Sequence, residues 1–367
     1  MDDLWRARIL DPPLQTPSLP GVGGRIRRRP DDFVVEERPA YAPDGTPGAH
    51  LLLTLTKRGL SSEDAAVALA AHLGIDRRAV GLAGRKDRNA VTTQWVSVPA
   101  EVAAGLASFE HPAITLGQAH PHGNKLRTGH LHGNRFDLVI RQLRIDPTEA
   151  MARARATLAA LDAGGGLANL YGPQRFGRDG HQLDRGLASL RGGRSGRRGN
   201  LVVAAGQAAL FNLYALLRRE RGLERTVLAG DLLQKRASGG MFECSDPHTD
   251  QARLDAGELV ITGPIFGARM RAPSPDTPAA ALEADALAQA GIETAALARL
   301  GRKTPGTRRV LHVPLDACAL EPAPPIPEED LGPGLRLRFE LPAGSFATQL
   351  CRELQGDADH PPDLDPD

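Results

Sequence analysis

Near the end of the chain Leu335, Leu337, Phe339 and Leu341 alternate with Arg336, Arg338 and Glu340. Such alternation marks a β-strand with one buried face, and a strand of that kind is stable only when neighbours complete its hydrogen bonds and cover that face. The segments able to do so are far away in sequence. Phe33-Val34-Val35, His50 to Thr56, Val91 to Val98 and Phe136 to Arg141 all read as strands. Between the two groups the chain reads as mostly helical. An Ala-rich helix opens at Pro147-Thr148-Glu149 and stops at Gly164-Gly165-Gly166, the most apolar helix runs from Val202 to Arg221, and an Ala-rich pair lies between Pro278 and Leu300. A sheet assembled from both ends around a helical middle is an α+β fold with an insertion, which fits this order better than two domains in tandem. The length of 367 residues holds about two domains.

Local signals refine that outline. Ser61-Ser62-Glu63-Asp64 supplies a cap and early acids for a helix ending at Gly74. Gly84 to Asn89 is a polar turn between two apolar segments, so Asp87 falls at the tip of a strand-loop-strand unit. Pro342-Ala343-Gly344 ends the last strand, Ser345 is positioned to cap a helix from Phe346 to Leu354, and the acidic, Pro-rich tail after Gln355 is expected to fray. Cys244, Cys318 and Cys351 form no C-x-x-C pair, which points to neither a disulfide framework nor a thiolate zinc site and fits a reducing cytoplasm. The first six residues lack the apolar core of a signal peptide, and no stretch approaches the ~18 uninterrupted apolar residues of a membrane span. No heptad pattern is visible, so a monomer is expected.

The formal net charge is +1, so bulk electrostatics neither demands nor excludes a polyanionic partner, and charge placement decides. Three polar signatures stand out: Gly84-Arg85-Lys86-Asp87-Arg88-Asn89, Gly133-Asn134-Arg135-Phe136, and Asn169 to Gly177. The first sets one carboxylate among three cations. Read alone, it is more often a solvated turn than a site. The others place an aromatic or an amide beside Gly and Arg, as a site for a splayed-out base needs, although a glycine turn followed by a core Phe has the same appearance. Arg residues from Arg175 to Arg198, with Arg299, Arg302, Lys303, Arg308 and Arg309, are candidates to line one phosphate-binding groove. His120, His122, His130 and His132 form two H-x-H pairs without carboxylate or thiolate ligands at recognisable spacing, so a metal is disfavoured, and Lys125 and Arg127 between them suit an RNA-facing basic hairpin. No P-loop, dinucleotide loop or G-x-S-x-G elbow is present, so nucleotide cofactors and hydrolase chemistry find no support.

In this order the signatures resemble the TruD family of tRNA pseudouridine synthases. The resemblance is carried by Pro30-Asp31-Asp32-Phe33-Val34-Val35-Glu36, Ala83 to Thr92, Gly133-Asn134-Arg135-Phe136, Asn169 to Gly177, and Leu341 to Thr348. It implies isomerisation of a uridine in tRNA, usually at position 13, by breaking the N-glycosidic bond and rejoining ribose C1′ to base C5, with no cofactor and no metal. It further implies that Asp87 is the catalytic aspartate acting on a flipped-out nucleotide. Phe33, Asn134 and Phe346 match substrate-contacting positions, Phe136 the aromatic that packs against the target base, and Arg27 a basic residue with phosphate-binding or Asp-pairing work. The implied fold is a mixed antiparallel α+β catalytic domain, residues 1–165 with 319–367, interrupted by an inserted, mostly helical α+β domain at 166–318. Departures from the family pattern include Leu170-Tyr171, where two aromatics are common, and the histidines around Lys125. The competing readings are a non-catalytic tRNA-binding or folding protein of the same fold, and a metal-dependent hydrolase built on the His pairs.

Overall fold

The computed structural model, which describes residues 3–43, 45–192, 199–301 and 304–356, joins the two ends of the chain in one sheet. Expectations for Arg194, Arg197, Arg198, Arg302, Lys303 and the acidic tail fall outside those residues. Helix α1 (Asp3–Leu10) and a proline-rich crossing lead to β1 (Phe33–Pro39), β2 (His50–Arg58), α2 (Ser62–Leu73), β3 (Gly81–Leu82), β4 (Val91–Pro99), α3 (Ala103–Leu106), β5 (Ile114–Leu116), β6 (His120–His122), β7 (Leu131–Ile140) and α4 (Pro147–Ala163). The middle carries β8 (Leu167–Ala168), α5 (His181–Leu190), α6 (Gly199–Glu220), β9 (Leu232–Lys235), β10 (Met241–Glu243), α7 (Pro247–Asp255), β11 (Leu259–Ile265), α8 (Pro278–Gln289), α9 (Thr294–Arg299), β12 (Thr307–Val310) and β13 (His312–Val313). β14 (Ala319–Ala323), β15 (Gly334–Pro342) and α10 (Ala347–Gln355) return to the first part.

The main sheet has the order β14-β15-β7-β1-β4-β2-β5, with β3 beside β4 and β6 beside β2. The fold is thus a mixed α+β fold. Leu335, Leu337, Phe339 and Leu341 lie opposite Ile140, Leu138, Phe136 and Asn134, so the alternating strand is completed by β7. Its apolar face is covered by α4 and α10, whose Ala154, Leu161, Leu350 and Leu354 share one core with Phe33, Val35 and Phe136. The other half of that face, on β2 and β4, is covered by α2 through Ala65, Ala66 and Leu69. The Ser61 hydroxyl caps α2 by accepting the Asp64 N–H, and Gly74 ends it in the left-handed region at φ 65°.

The middle has a separate core around α6, packed against a four-stranded sheet of order β10-β9-β11-β12. Three of these strands have three or four residues, and the seven-residue β11 is buried along most of its length, so none shows the alternation that reveals β15. Helix α1 crosses to this region and gives Trp5 and Ile9 to its core. Leu201–Glu220 has the length and mean hydropathy of a membrane span, yet most of it is buried in that core. Two local expectations are corrected. Helix α10 begins at Ala347 with no side-chain cap, and the Ser345 hydroxyl is buried without a hydrogen-bond partner. The two His-x-His segments form no hairpin, because β6 pairs with β2 while β7 pairs with β1 and β15. Tyr41 links them, stacking on His122 at 5.2 Å and meeting His130 Nδ1 through its hydroxyl at 2.7 Å.

Candidate active site

Strands β1 and β4 run parallel and start side by side, with Val34 opposite Val91. Parallel pairing brings the lead-ins of both strands to the same end of the sheet, and antiparallel β2 ends there too, with Lys57 opposite Thr92. Three segments distant in sequence therefore converge. Arg27, before β1, donates through Nη2 to Asp87 Oδ2 at 3.0 Å and lies over the Phe33 ring with 4.3 Å to its centroid. The Arg27 side chain is 7% exposed and that of Asp87 47% exposed, so the pair opens to solvent on the carboxylate side. Asp87 Oδ1 makes no hydrogen bond to the described residues. Arg27 itself sits at φ 56°, a left-handed conformation that costs a side-chain-bearing residue about 1–2 kcal/mol.

The loop Gly84 to Asn89 lies across the sheet face and is pinned along its length. Lys86 Nζ donates to Glu37 Oε2 at 2.5 Å in a pair with side-chain exposures of 5% and 0%. Glu37 in turn accepts the Trp95 N–H at 3.1 Å. The Lys86 N–H donates to the Ser62 hydroxyl at 2.9 Å, and that hydroxyl donates to Gln94 Oε1 at 2.6 Å. Lys57 is fully buried and its Nζ donates to the Asp87 main-chain carbonyl at 2.5 Å. Burial lowers the Lys57 pKa from 10.5 to about 8, against the attraction of Asp87. Arg88 reaches Asp64 at 2.9 Å on the exposed side. Buried charged contacts thus fix the backbone on both sides of an acid whose carboxylate remains partly open.

Register explains which sequence candidates share this place. Lys57, Thr92, Val35, Phe136 and Phe339 form one row across five strands, and two residues on, Glu37, Asn134 and Leu341 form the next row of the same face across β1, β7 and β15. Phe136 is buried, 7% exposed, and stacks on Phe339 at 5.2 Å. Asn134 is half-buried, and its Oδ1 is buried with no hydrogen-bond partner. It lines a cleft of about 650 Å³ between the main sheet and the middle region, with Ser345, Arg38, Lys235, Arg236 and Arg309 also on the walls. Phe346 belongs to a second aromatic group, meeting Tyr171 edge-on at 5.8 Å. Arg309 lies over Tyr171 at 4.3 Å and donates to the Asn169 carbonyl at 3.0 Å.

The basic residues are distributed differently from the sequence expectation. Arg308 buries its guanidinium against Glu283 at 2.5 Å, which removes it from any phosphate. Arg191 donates to the Ala290 carbonyl. Of the expected cations Arg309 does line the cleft, joined there by Lys235 and Arg236 from the end of a short strand without a local motif. Lys57, Glu37 and Ser62 were likewise invisible as site residues. The available signal was phase: Leu53, Leu55 and Lys57, like Phe33, Val35 and Glu37, alternate onto the buried face.

The chain matches the family model of tRNA pseudouridine synthase D (TruD) over residues 13–185 and 198–354. It is 41% identical to the tRNA pseudouridine synthase D of Anaeromyxobacter dehalogenans over 97% of this chain and 100% of that protein. With the tRNA pseudouridine synthase D of Thermus thermophilus the identity is 39%, over 93% of this chain and 91% of the other. A crystal structure assigned to TruD, from Methanosarcina mazei, shares the fold with a TM-score of 0.74 at 20% identity, covering 95% of this chain and 97% of that one.

Proposed function

The chain belongs to the TruD family of tRNA pseudouridine synthases and isomerises uridine to pseudouridine in tRNA; we propose that its target is uridine 13 and that Asp87 is the carboxylate on which the reaction turns. The isomerisation breaks C1′–N1 and forms C1′–C5, while the proton lost from C5 is balanced by one gained at N1. Such chemistry needs an oriented, ionised group beside a flipped-out nucleotide. The observation that carries the reading is the Asp87 carboxylate, held at Oδ2 by Arg27 and open at Oδ1, on a loop pinned from beneath. Oδ1 is suited either to attack on the sugar or base or to deprotonation of the ribose.

The substrate contacts follow from what the remaining groups lack. Asn134 Oδ1 and the Ser345 hydroxyl are buried without partners, and a base imide N–H or a ribose hydroxyl would satisfy them. Phe346 offers a ring for stacking, Phe136 and Phe33 form the apolar floor beside the acid, and Arg27 both orients Asp87 and remains close to an incoming phosphate. Arg38, Lys235, Arg236 and Arg309 suit a tRNA backbone laid along the cleft. We take residues 1–165 with 319–367 as the catalytic domain, helix α1 alone reaching over to the core of the insertion at 166–318, and the whole as a monomer in the cytoplasm without a metal or nucleotide cofactor, since nothing is added to or removed from the substrate.

The test uses two unmodified transcripts of one tRNA, one with uridine and one with cytidine at position 13, incubated with EDTA and no cofactor. Carbodiimide adducts mapped by primer extension should mark pseudouridine at position 13 of the first and nowhere in the second. Conversion of another uridine, with position 13 untouched, would overturn the assignment of the target.

A further inference from the structure

Resting on the reading of Asp87 above, we propose that Lys57 is a positioning residue for the reaction, its buried ammonium holding the main-chain carbonyl of Asp87 so that the carboxylate is presented in one attitude. Among the described residues the cations buried as whole residues, backbone included, are Lys57, Arg141, Arg218, Arg308 and Arg352. Four of them meet a carboxylate: Arg141 meets Asp32, Arg218 Asp231, Arg308 Glu283 and Arg352 Asp11. Lys57 meets a main-chain carbonyl instead. A cation taken out of water without a carboxylate is costly, and a methionine would fill the same volume without that cost. Packing therefore does not account for a lysine here. Its bond falls on the one peptide that carries the open acid.

The groups around Lys57 make its charge titratable without making it exposed. From the loop, Asp87 favours the ammonium while Lys86 and Arg88 oppose it, and from α2 Asp64 favours it. Its partners across the sheet are uncharged, Thr92 on β4 and Ile114 on β5. Burial is the largest influence and leaves the group losing its proton at about pH 8. Above that pH the amine donates a weaker hydrogen bond and the loop is held less firmly. Catalysis should therefore fall on the alkaline side while the fold remains intact.

The experiment measures kcat and kcat/KM on uridine-13 tRNA from neutral to alkaline pH for the wild type and Lys57→Met. We expect kcat of Lys57→Met to fall by about 10²-fold, the usual effect of a carboxylate displaced by about 1 Å, with KM little changed. The wild type should show an alkaline limb in kcat/KM near pH 8 that the variant lacks. A limb belonging to the uracil N3–H would persist in both and would overturn the proposal, as would a Lys57→Met enzyme of wild-type kcat. Should the variant not fold, the wild type decides alone: with isotope-labelled lysine in a chain of five lysines, one ε-carbon must titrate with the midpoint of the kcat/KM limb. Differing midpoints would overturn the idea. Full activity in Asp87→Asn would remove the underlying reading of Asp87, whereas an inactive Asp87→Asn beside a fully active Lys57→Met would remove only the role of Lys57.

Discussion

Two regions bury networks of charge, and they end differently. In the middle region Arg218 uses all of its donors within the protein: Nε meets the Leu223 carbonyl at 3.1 Å, Nη1 the Tyr214 hydroxyl at 3.0 Å and Asp231 at 2.7 Å, and Nη2 the Thr226 carbonyl at 2.6 Å and Asp231 at 3.1 Å. Nothing in it faces solvent, since the Arg218 and Asp231 side chains are 0% and 1% exposed. Beneath Asp87 the contacts are also buried, from Glu37 through Lys86 and from Lys57 to the Asp87 carbonyl, but the last member is a half-exposed carboxylate. A network closed on itself holds a fold together. One with an open end can be completed by a ligand, and that difference separates two charge clusters that composition alone would rank alike.

The comparison breaks most sharply on its two acids. Asp87→Asn should lower the single-turnover rate by on the order of 10⁴-fold, the scale seen when a catalytic carboxylate is removed, while tRNA affinity by filter binding stays near wild type. The corresponding change in the closed network, Asp231→Asn, should leave the rate per folded molecule unchanged and cost about 3–5 kcal/mol in urea denaturation, because it strands the buried Arg218 guanidinium.

Alkaline stability sharpens the contrast, with each effect at most about 3 kcal/mol. Burial depresses Lys57 from 10.5 to about 8, so between those values the unfolded chain binds more protons and this group's contribution to stability rises with pH. Burial raises Tyr214 from 10.0 to about 12, so its contribution is intact below pH 10 and is lost as pH climbs toward 12. Denaturant titrations across the alkaline range should show the first trend vanish in Lys57→Met and the second in Tyr214→Phe.

Much of the main sheet was legible because its signals are local. The alternation of Leu335 to Leu341, the Ser61 cap and the Gly84 to Asn89 turn each state their structure within a few residues. The middle sheet was not legible: β9 and β10 are four and three residues long, too short to show a period. Around Asp87 the sequence displayed the acid and its motif but not what fixes them, since Lys57 and Glu37 act from other strands and only register brings them under the loop. Arg308 and Arg309 illustrate the converse. Adjacent in sequence, they read as one basic patch, yet Arg308 turns to Glu283 and Arg309 to Asn169 and Tyr171, because successive residues of a strand point to opposite faces.

The most direct measurement runs Asp87→Asn and Asp231→Asn side by side, each assayed for single-turnover conversion of uridine-13 tRNA and for its melting temperature. The open-ended network predicts a rate loss with an unchanged melting temperature in the first, and a lowered melting temperature with an unchanged rate per folded molecule in the second. An Asp87→Asn enzyme that converts uridine at the wild-type rate would contradict the account.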